Sequence, residues 1–369
     1  MITSPSHAPL ATLEFDHLEL YVGNALQAAH YFCTAFAFRP LAYAGPSTGL
    51  ADRVSYVVAQ GDLRLICTAA LRPDSPIAAQ VCAHGDGVRT VALGVRDARA
   101  AYEEAVARGA RGVVEPAAAS DADGDAVTAS IGAYGDTVHT FIERHDYRGP
   151  FLPGFVAWTS TARAREPAGL RAIDHCVANV GWNEMDAWVE FYARVFGFTQ
   201  LVSFDDTDIS TEFTALRSKV MSDARRAVKF PINEPAHGLK RSQIEEYLDF
   251  YGGAGIQHVA IATDDIVSTV RALRANGVEL LTTPSSYYDR LRERIGPIDE
   301  AIETLRELSI LVDRDEAGYM LQIFTKPLGD RPTLFFEIIQ RKGSLSFGKG
   351  NFKALFVAIE AEQAKRGTL

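Results

Sequence analysis

The sequence predicts an α+β protein of two related halves, each built from strand–helix–strands modules, with a separate helix at the C-terminus. An internal repeat, an alternation of strand and helix patterns, and an amphipathic stretch near the end carry this prediction. The repeat sets Asp16-His17 and Val22-Gly23 against Asp174-His175 and Val180-Gly181, and Phe36-Ala37-Phe38 against Phe196-Gly197-Phe198. A second block matches without gaps: Gly85, Gly87, Val91, Ala92, Asp97, Gly109 and Pro116 correspond to Gly253, Gly255, Val259, Ala260, Asp265, Gly277 and Pro284. Several matches in one order indicate duplication rather than chance.

Within the first half, Leu18 to Val22 reads as a strand. Ala25 to Phe36 has helical spacing and stops before Phe38. Val54 to Ala59 and Leu63 to Thr68 read as strands, as does Thr90 to Gly94. The helix Ala98 to Arg108 then stops at Gly109. Strand, helix, then strands, twice per half, gives four modules, and their sheets are expected to be mixed and curved. The stretch from Arg148 to Arg171 holds Pro150, Pro153 and Pro167 without sustained periodicity and reads as a linker. The expected division is 1–155, a linker at 156–170, and 171–369. In the last segment, 351–366, Phe352, Leu355, Phe356 and Ile359 form one apolar helix face, preceded by Gly348-Lys349-Gly350. Packing on the core is the plain reading of that helix; a lid over an active-site mouth is the sharper one.

Composition narrows the function classes. The chain has 369 residues, 47% hydrophobic and 23% charged, as in an ordinary globular protein. Lys+Arg total 37 against 47 Asp+Glu, a net charge of −10, which argues against nucleic acid or an anionic membrane as a partner. No apolar run approaches the ~18 residues of a membrane span. Met1 to Leu13 lacks the basic and apolar regions of a signal peptide. Cys33, Cys67, Cys82 and Cys176 have no CxxC spacing. Sparse thiols suit a reducing compartment, so the expected location is cytoplasmic.

Three residues in the second half stand out. His175 and His258 each sit at a strand start, and Glu337 interrupts the apolar run Leu334 to Ile339. A carboxylate in a buried strand is costly unless it is paired or bound to metal. Singly, each has a plain explanation: a packed core histidine, or a glutamate paired with a base. Arg341 is close in sequence but is not expected to be the cross-strand neighbour of Glu337. The repeat changes the weighting. His17 matches His175, but Thr90 replaces His258 and Thr140 falls opposite Glu337. The first half thus reads as scaffold, with His17 structural, and the second as the active half. Two imidazoles and one carboxylate leave coordination positions open, a set that suits non-haem Fe(II).

Further segments carry a family resemblance. They are Ile173-Asp174-His175, Pro231-Ile232-Asn233-Glu234-Pro235, Ser242-Gln243-Ile244, Gly253 to His258, Leu321 to Thr325, Phe335 to Ile339, and Gly348 to Phe356. Together they resemble the 4-hydroxyphenylpyruvate dioxygenase family of the vicinal oxygen chelate superfamily, over nearly the whole chain but more weakly before Arg171. The resemblance implies two open β-barrel domains, each of two βαβββ modules, with Fe(II) held by His175, His258 and Glu337. It implies a catalytic polar set of Asn233, Gln243, Gln257 and Gln322. Thr214, Phe324, Phe335, Asn351, Phe352 and Phe356 become the substrate-binding positions, with Thr214 standing where some members carry Ser. Neutral amides suit a phenol hydroxyl, and phenylalanines can flank a ring and exclude water. The implied reaction converts 4-hydroxyphenylpyruvate, an aromatic 2-oxo acid, and O2 to homogentisate and CO2 in tyrosine catabolism, in a homodimer or homotetramer. 4-Hydroxymandelate synthesis on the same triad is the alternative, and Asn233 with Gly348 to Phe352 favours homogentisate. A non-catalytic binding protein of the same superfamily is opposed by the intact triad. Extradiol dioxygenases share the ligand types but need an acid–base His that this sequence does not place.

Overall fold

Each half of the computed structural model is one curled sheet whose strand order is symmetric about its centre. The structure describes residues 10, 13–159, 165–205, 211 and 213–369. Most of the N-terminal stretch read for a signal, and part of the linker, lie outside the described residues. In the second half the order runs Thr199–Phe204, Ala215–Ser222, Lys229–Ala236, Leu170–Asn179, Gly255–Thr263, Phe335–Lys342, Tyr319–Phe324, Leu311–Arg314. Leu170–Asn179 and Gly255–Thr263, the first strands of the two modules, pair antiparallel at the centre. Each also pairs parallel with the last strand of its own module. The first half repeats this with Glu14–Tyr21 and Gly87–Gly94 at its centre. The expected mixed sheets are present.

The repeat residues acquire physical roles. Asp97 and Asp265 cap helices Ala98–Ala107 and Ile266–Ala275, their carboxylates accepting from Ala100 N at 2.8 Å and Ser268 N at 3.0 Å. Gly109 and Gly277 follow those helices at φ +92° and +89°, angles costly for other residues. In Ile266–Ala275, Ile266, Thr269, Val270 and Leu273 face the core at the spacing of one helix side.

One apolar core runs through both halves. Phe32 of the helix Ala25–Ala35 and Phe36, which caps its C-terminal end, set their rings 5.9 and 5.4 Å from Phe336 of the second sheet. The buried His139 pairs with the Tyr192 hydroxyl at 2.8 Å, and burial lowers its pKa to about 4. Within the expected linker, Val156–Ala157 adds an outermost strand to the first sheet, against Arg39–Ala44. Between Gly277 and Leu311 the second half inserts three short helices, Ser286–Asp289, Leu291–Ile295 and Ile302–Leu308. The helix Phe352–Arg366 closes the described chain. Among the described residues no helix is long and apolar enough to cross a membrane.

Candidate metal centre

The three candidate ligands lie on three adjoining strands of the second sheet. His175 and Glu337 both pair with Ala260 of the central strand, from opposite sides, and His258 is two residues from Ala260. Side chains two apart share a face. The small Ala260 leaves room for its neighbours to converge above it. Nε2 of His175 and of His258 lie 3.3 and 3.6 Å from Glu337 Oε2. One ligand atom from each residue fits within a cluster 4.8 Å across, and all three side chains are nearly buried.

Two β-bulges set the outer partners. The register slips between Ile173 and His175, leaving Asp174 unpaired. It slips again opposite Val177 and Ala178, leaving Gln257 unpaired. A bulge re-aims a side chain that the pleat would send to the opposite face. Asp174 therefore sits beside His175, accepting from its Nδ1–H at 2.7 Å. Gln257 sits beside His258, its amide oxygen 3.1 Å from Nδ1. A carboxylate or amide oxygen only accepts, so each Nδ1 carries hydrogen, and an ion at the centre would replace any proton on Nε2 and take its lone pair. Arg341 grips Asp174 through two hydrogen bonds, of 2.8 and 2.9 Å. Arg341 is thus a partner of the carboxylate behind His175, not of Glu337.

The electrostatics call for a cation. Burial pushes the Glu337 pKa up, but hydrogen bonds and charge from His175 and His258 outweigh it and hold it at about 2. Burial likewise opposes ionised Asp174, yet hydrogen bonds from His175 and Arg341 keep it well below the usual carboxylate range. Burial disfavours charge on His175, but bonds to Asp174 and Glu337 raise its pKa overall. Burial dominates at His258 and lowers it. Two ionised carboxylates around these imidazoles fit a divalent ion in the place of an imidazolium proton. The donor set fits a metal cofactor.

A cavity opens over this cluster, with about 80 Å³ of free space. Asn233, Gln243, Gln257 and Gln322 line it, as do Phe324, Phe335, Phe352 and Phe356. The Phe335 ring stacks on His258 at 4.8 Å and 18°. Gln243 occupies the first turn of the helix Gln243–Tyr251, which Ser242 and Glu245 cap reciprocally. Phe352 and Phe356 pack with Phe204 and Leu216 on one wall, and Leu355 and Ile359 with Phe324 and Phe335 on the other. The C-terminal helix therefore covers the mouth and packs on the core at once.

Two expected positions are not brought to the cavity wall. Thr214 precedes the strand Ala215–Ser222, and its hydroxyl donates to Glu360 of the covering helix at 2.7 Å. Ser218, paired with Asn233 in the sheet register, provides the wall's hydroxyl instead. Asn351 is fully buried at the root of the covering helix, its Oδ1 2.7 Å from the Tyr287 hydroxyl. Phe347 was not singled out in the sequence, yet its ring sets an edge against His175 at 5.3 Å. Only the fold connects it to the site.

The model of the Glyoxalase/Bleomycin resistance protein/Dioxygenase superfamily matches residues 14–128 and 172–323. The chain is 49% identical to 4-hydroxyphenylpyruvate dioxygenase of Yarrowia lipolytica, covering 96% of this chain and 93% of that protein. It is 47% identical to the enzyme of the same name from Caenorhabditis elegans, over 96% and 93% of the two chains. A solved mutant of 4-hydroxymandelate synthase from Streptomyces coelicolor superposes with a TM-score of 0.86 at 35% identity, covering 96% of this chain and all of that one.

Proposed function

The chain belongs to the 4-hydroxyphenylpyruvate dioxygenase family, and on that premise we propose that it converts 4-hydroxyphenylpyruvate and O2 to homogentisate and CO2 with Fe(II) held by His175, His258 and Glu337. The observation that carries this reading is the buried His–His–Glu cluster under a cavity of neutral amides and phenylalanines. When bound, ferrous iron supplies the redox chemistry of O2 and open positions for a chelating 2-oxo acid.

The remaining work falls to the chain's own residues. Among the described residues the cavity wall contains no Lys or Arg, so the substrate carboxylate finds its counter-charge at the metal position. With Glu337 ionised, a dication and one substrate carboxylate bring the centre to neutrality. The side-chain amides of Gln243 and Gln322 form no hydrogen bond to other described residues, which leaves both for the phenol hydroxyl. Asn233 and Ser218 extend that polar wall. Phe324, Phe335, Phe352 and Phe356 flank the ring and exclude water.

In this reading 171–369 performs the chemistry and 1–155 is scaffold, in a cytoplasmic homodimer or homotetramer serving tyrosine catabolism. The S. coelicolor structure makes 4-hydroxymandelate the alternative product. The test is product analysis after anaerobic Fe(II) loading, then 4-hydroxyphenylpyruvate with O2. Homogentisate supports the proposal. 4-Hydroxymandelate keeps the triad but transfers the chain to the alternative, and absence of iron favours a non-catalytic binding protein.

A further inference from the structure

Arg341 touches both the strand of a metal ligand and the root of the covering helix. On one side it donates to both oxygens of Asp174, at 2.8 and 2.9 Å, and Asp174 in turn accepts from His175. On the other side its Nη1 donates to the carbonyls of Ser346 and Ser344, at 2.7 and 3.3 Å. Its guanidinium lies 5.4 Å over the Phe347 ring, and Phe347 rests its edge on His175, closing a circuit. Asp315 fixes the same turn, accepting from Leu345 N and Ser346 N at 2.7 and 2.8 Å. Gly348 follows at φ +77°, and the covering helix begins four residues later.

We propose that Arg341 is a positioning residue that couples metal binding at His175 to the seating of segment 344–366. The proposal rests on the metal reading above. With the segment seated, Arg341 has carbonyl partners and an aromatic face that hold its fork square to Asp174. Asp174 then fixes the Nδ1–H form of His175 and leaves Nε2 for the ion. An ion on Nε2 in turn anchors the imidazole against which Phe347 rests. By linkage, whatever seating adds to metal affinity, metal binding adds to seating.

The first half supplies an internal control. Asp16 accepts from His17 at 2.6 Å and pairs with Arg144 at 2.8 and 2.9 Å. Arg144 donates to the Phe151 carbonyl at 2.7 Å and lies 5.2 Å over its ring, which meets His17 edge-on at 5.1 Å. Among the described residues no metal trio and no covering helix accompany this circuit. Arg144 there serves the fold alone.

The test is hydrogen exchange across 344–366 of the full chain, with and without anaerobic Fe(II), alongside measured iron affinity. In the unaltered chain Fe(II) slows exchange through the segment. Arg341→Lys keeps a charge beside Asp174 but cannot bridge both sides. It loses most of that slowing and binds Fe(II) about 10–100-fold more weakly. Arg144→Lys changes neither. Should Arg341→Lys fail to fold, Phe347→Leu breaks the circuit without touching a charge and is expected to show the same loss more weakly. Iron uptake with no change in 344–366, or equal slowing in the unaltered and variant chains, overturns the coupling. A chain that takes up no Fe(II) overturns the metal reading itself.

Discussion

The two halves contain the same Asp–His–Arg–Phe circuit, yet only one holds a metal-ligand trio among the described residues. The alignment is exact in the sheet register. Ala92 lies between His17 and Thr140 as Ala260 lies between His175 and Glu337, and Thr90 stands two residues before Ala92 as His258 does before Ala260. Two threonines thus occupy the positions of two ligands. In place of the open cavity, the first half sets Phe151 against Ala42, Val57 and Ile66, with Leu152 and Phe155 beside it. The module's bulge and buried ion pair are therefore a property of the fold, and the candidate metal centre is two side chains added to it.

The largest expected effect separates ligand from look-alike. His258→Ala is expected to abolish iron binding and turnover, while His17→Ala leaves iron content unchanged, both read by elemental analysis after anaerobic loading. Equal iron loss in the two variants would break the comparison.

The second effect is on pH. His175 must be neutral at Nε2 to bind metal, and its pKa is raised above 6.5 by its two carboxylate neighbours against the pull of burial. Protons therefore compete with the ion at and below that raised value. Metal affinity is expected to fall as pH drops through it, with up to one proton released by His175 per ion bound. Calorimetry in buffers of different ionisation enthalpy reads that proton. Glu337, held at about 2, remains ionised and adds no slope near neutral pH.

The amide wall sharpens the comparison next. Asn233→Ala is expected to leave iron content intact and cost about 1–3 kcal/mol of transition-state binding, seen in kcat/KM and as a rising share of 4-hydroxymandelate. The smallest effect on the metal site belongs to the scaffold half. Arg144→Gln leaves Asp16 partly buried without its base and is expected to cost about 3 kcal/mol of stability in denaturant melts, with iron content unchanged.

Much of this was legible in the sequence because duplication exposes differences. Asp97 with Asp265, and Gly109 with Gly277, mark the same helix ends, so the gapless block aligned both halves. Subtracting one half from the other then isolated His258 and Glu337. The bulges were not legible. A strict period of two sends Asp174 away from His175 and Gln257 away from His258, and only the register slips bring them back. Arg341 is close to Glu337 in sequence but not its expected neighbour, and the carboxylate it meets, Asp174, lies far off in sequence, where spacing cannot show it. Thr214 is a wall position only by family resemblance, which does not show the sheet register, and Ser218 is the residue paired with Asn233. The three short helices after Gly277 have no counterpart in the first half, so the repeat was silent on them.

The most direct test of one centre in two like halves is iron stoichiometry per chain, measured anaerobically in the unaltered protein, His17→Ala and His258→Ala. The account predicts one, one and none. Two irons in the unaltered chain, or retention of iron by His258→Ala, would contradict it.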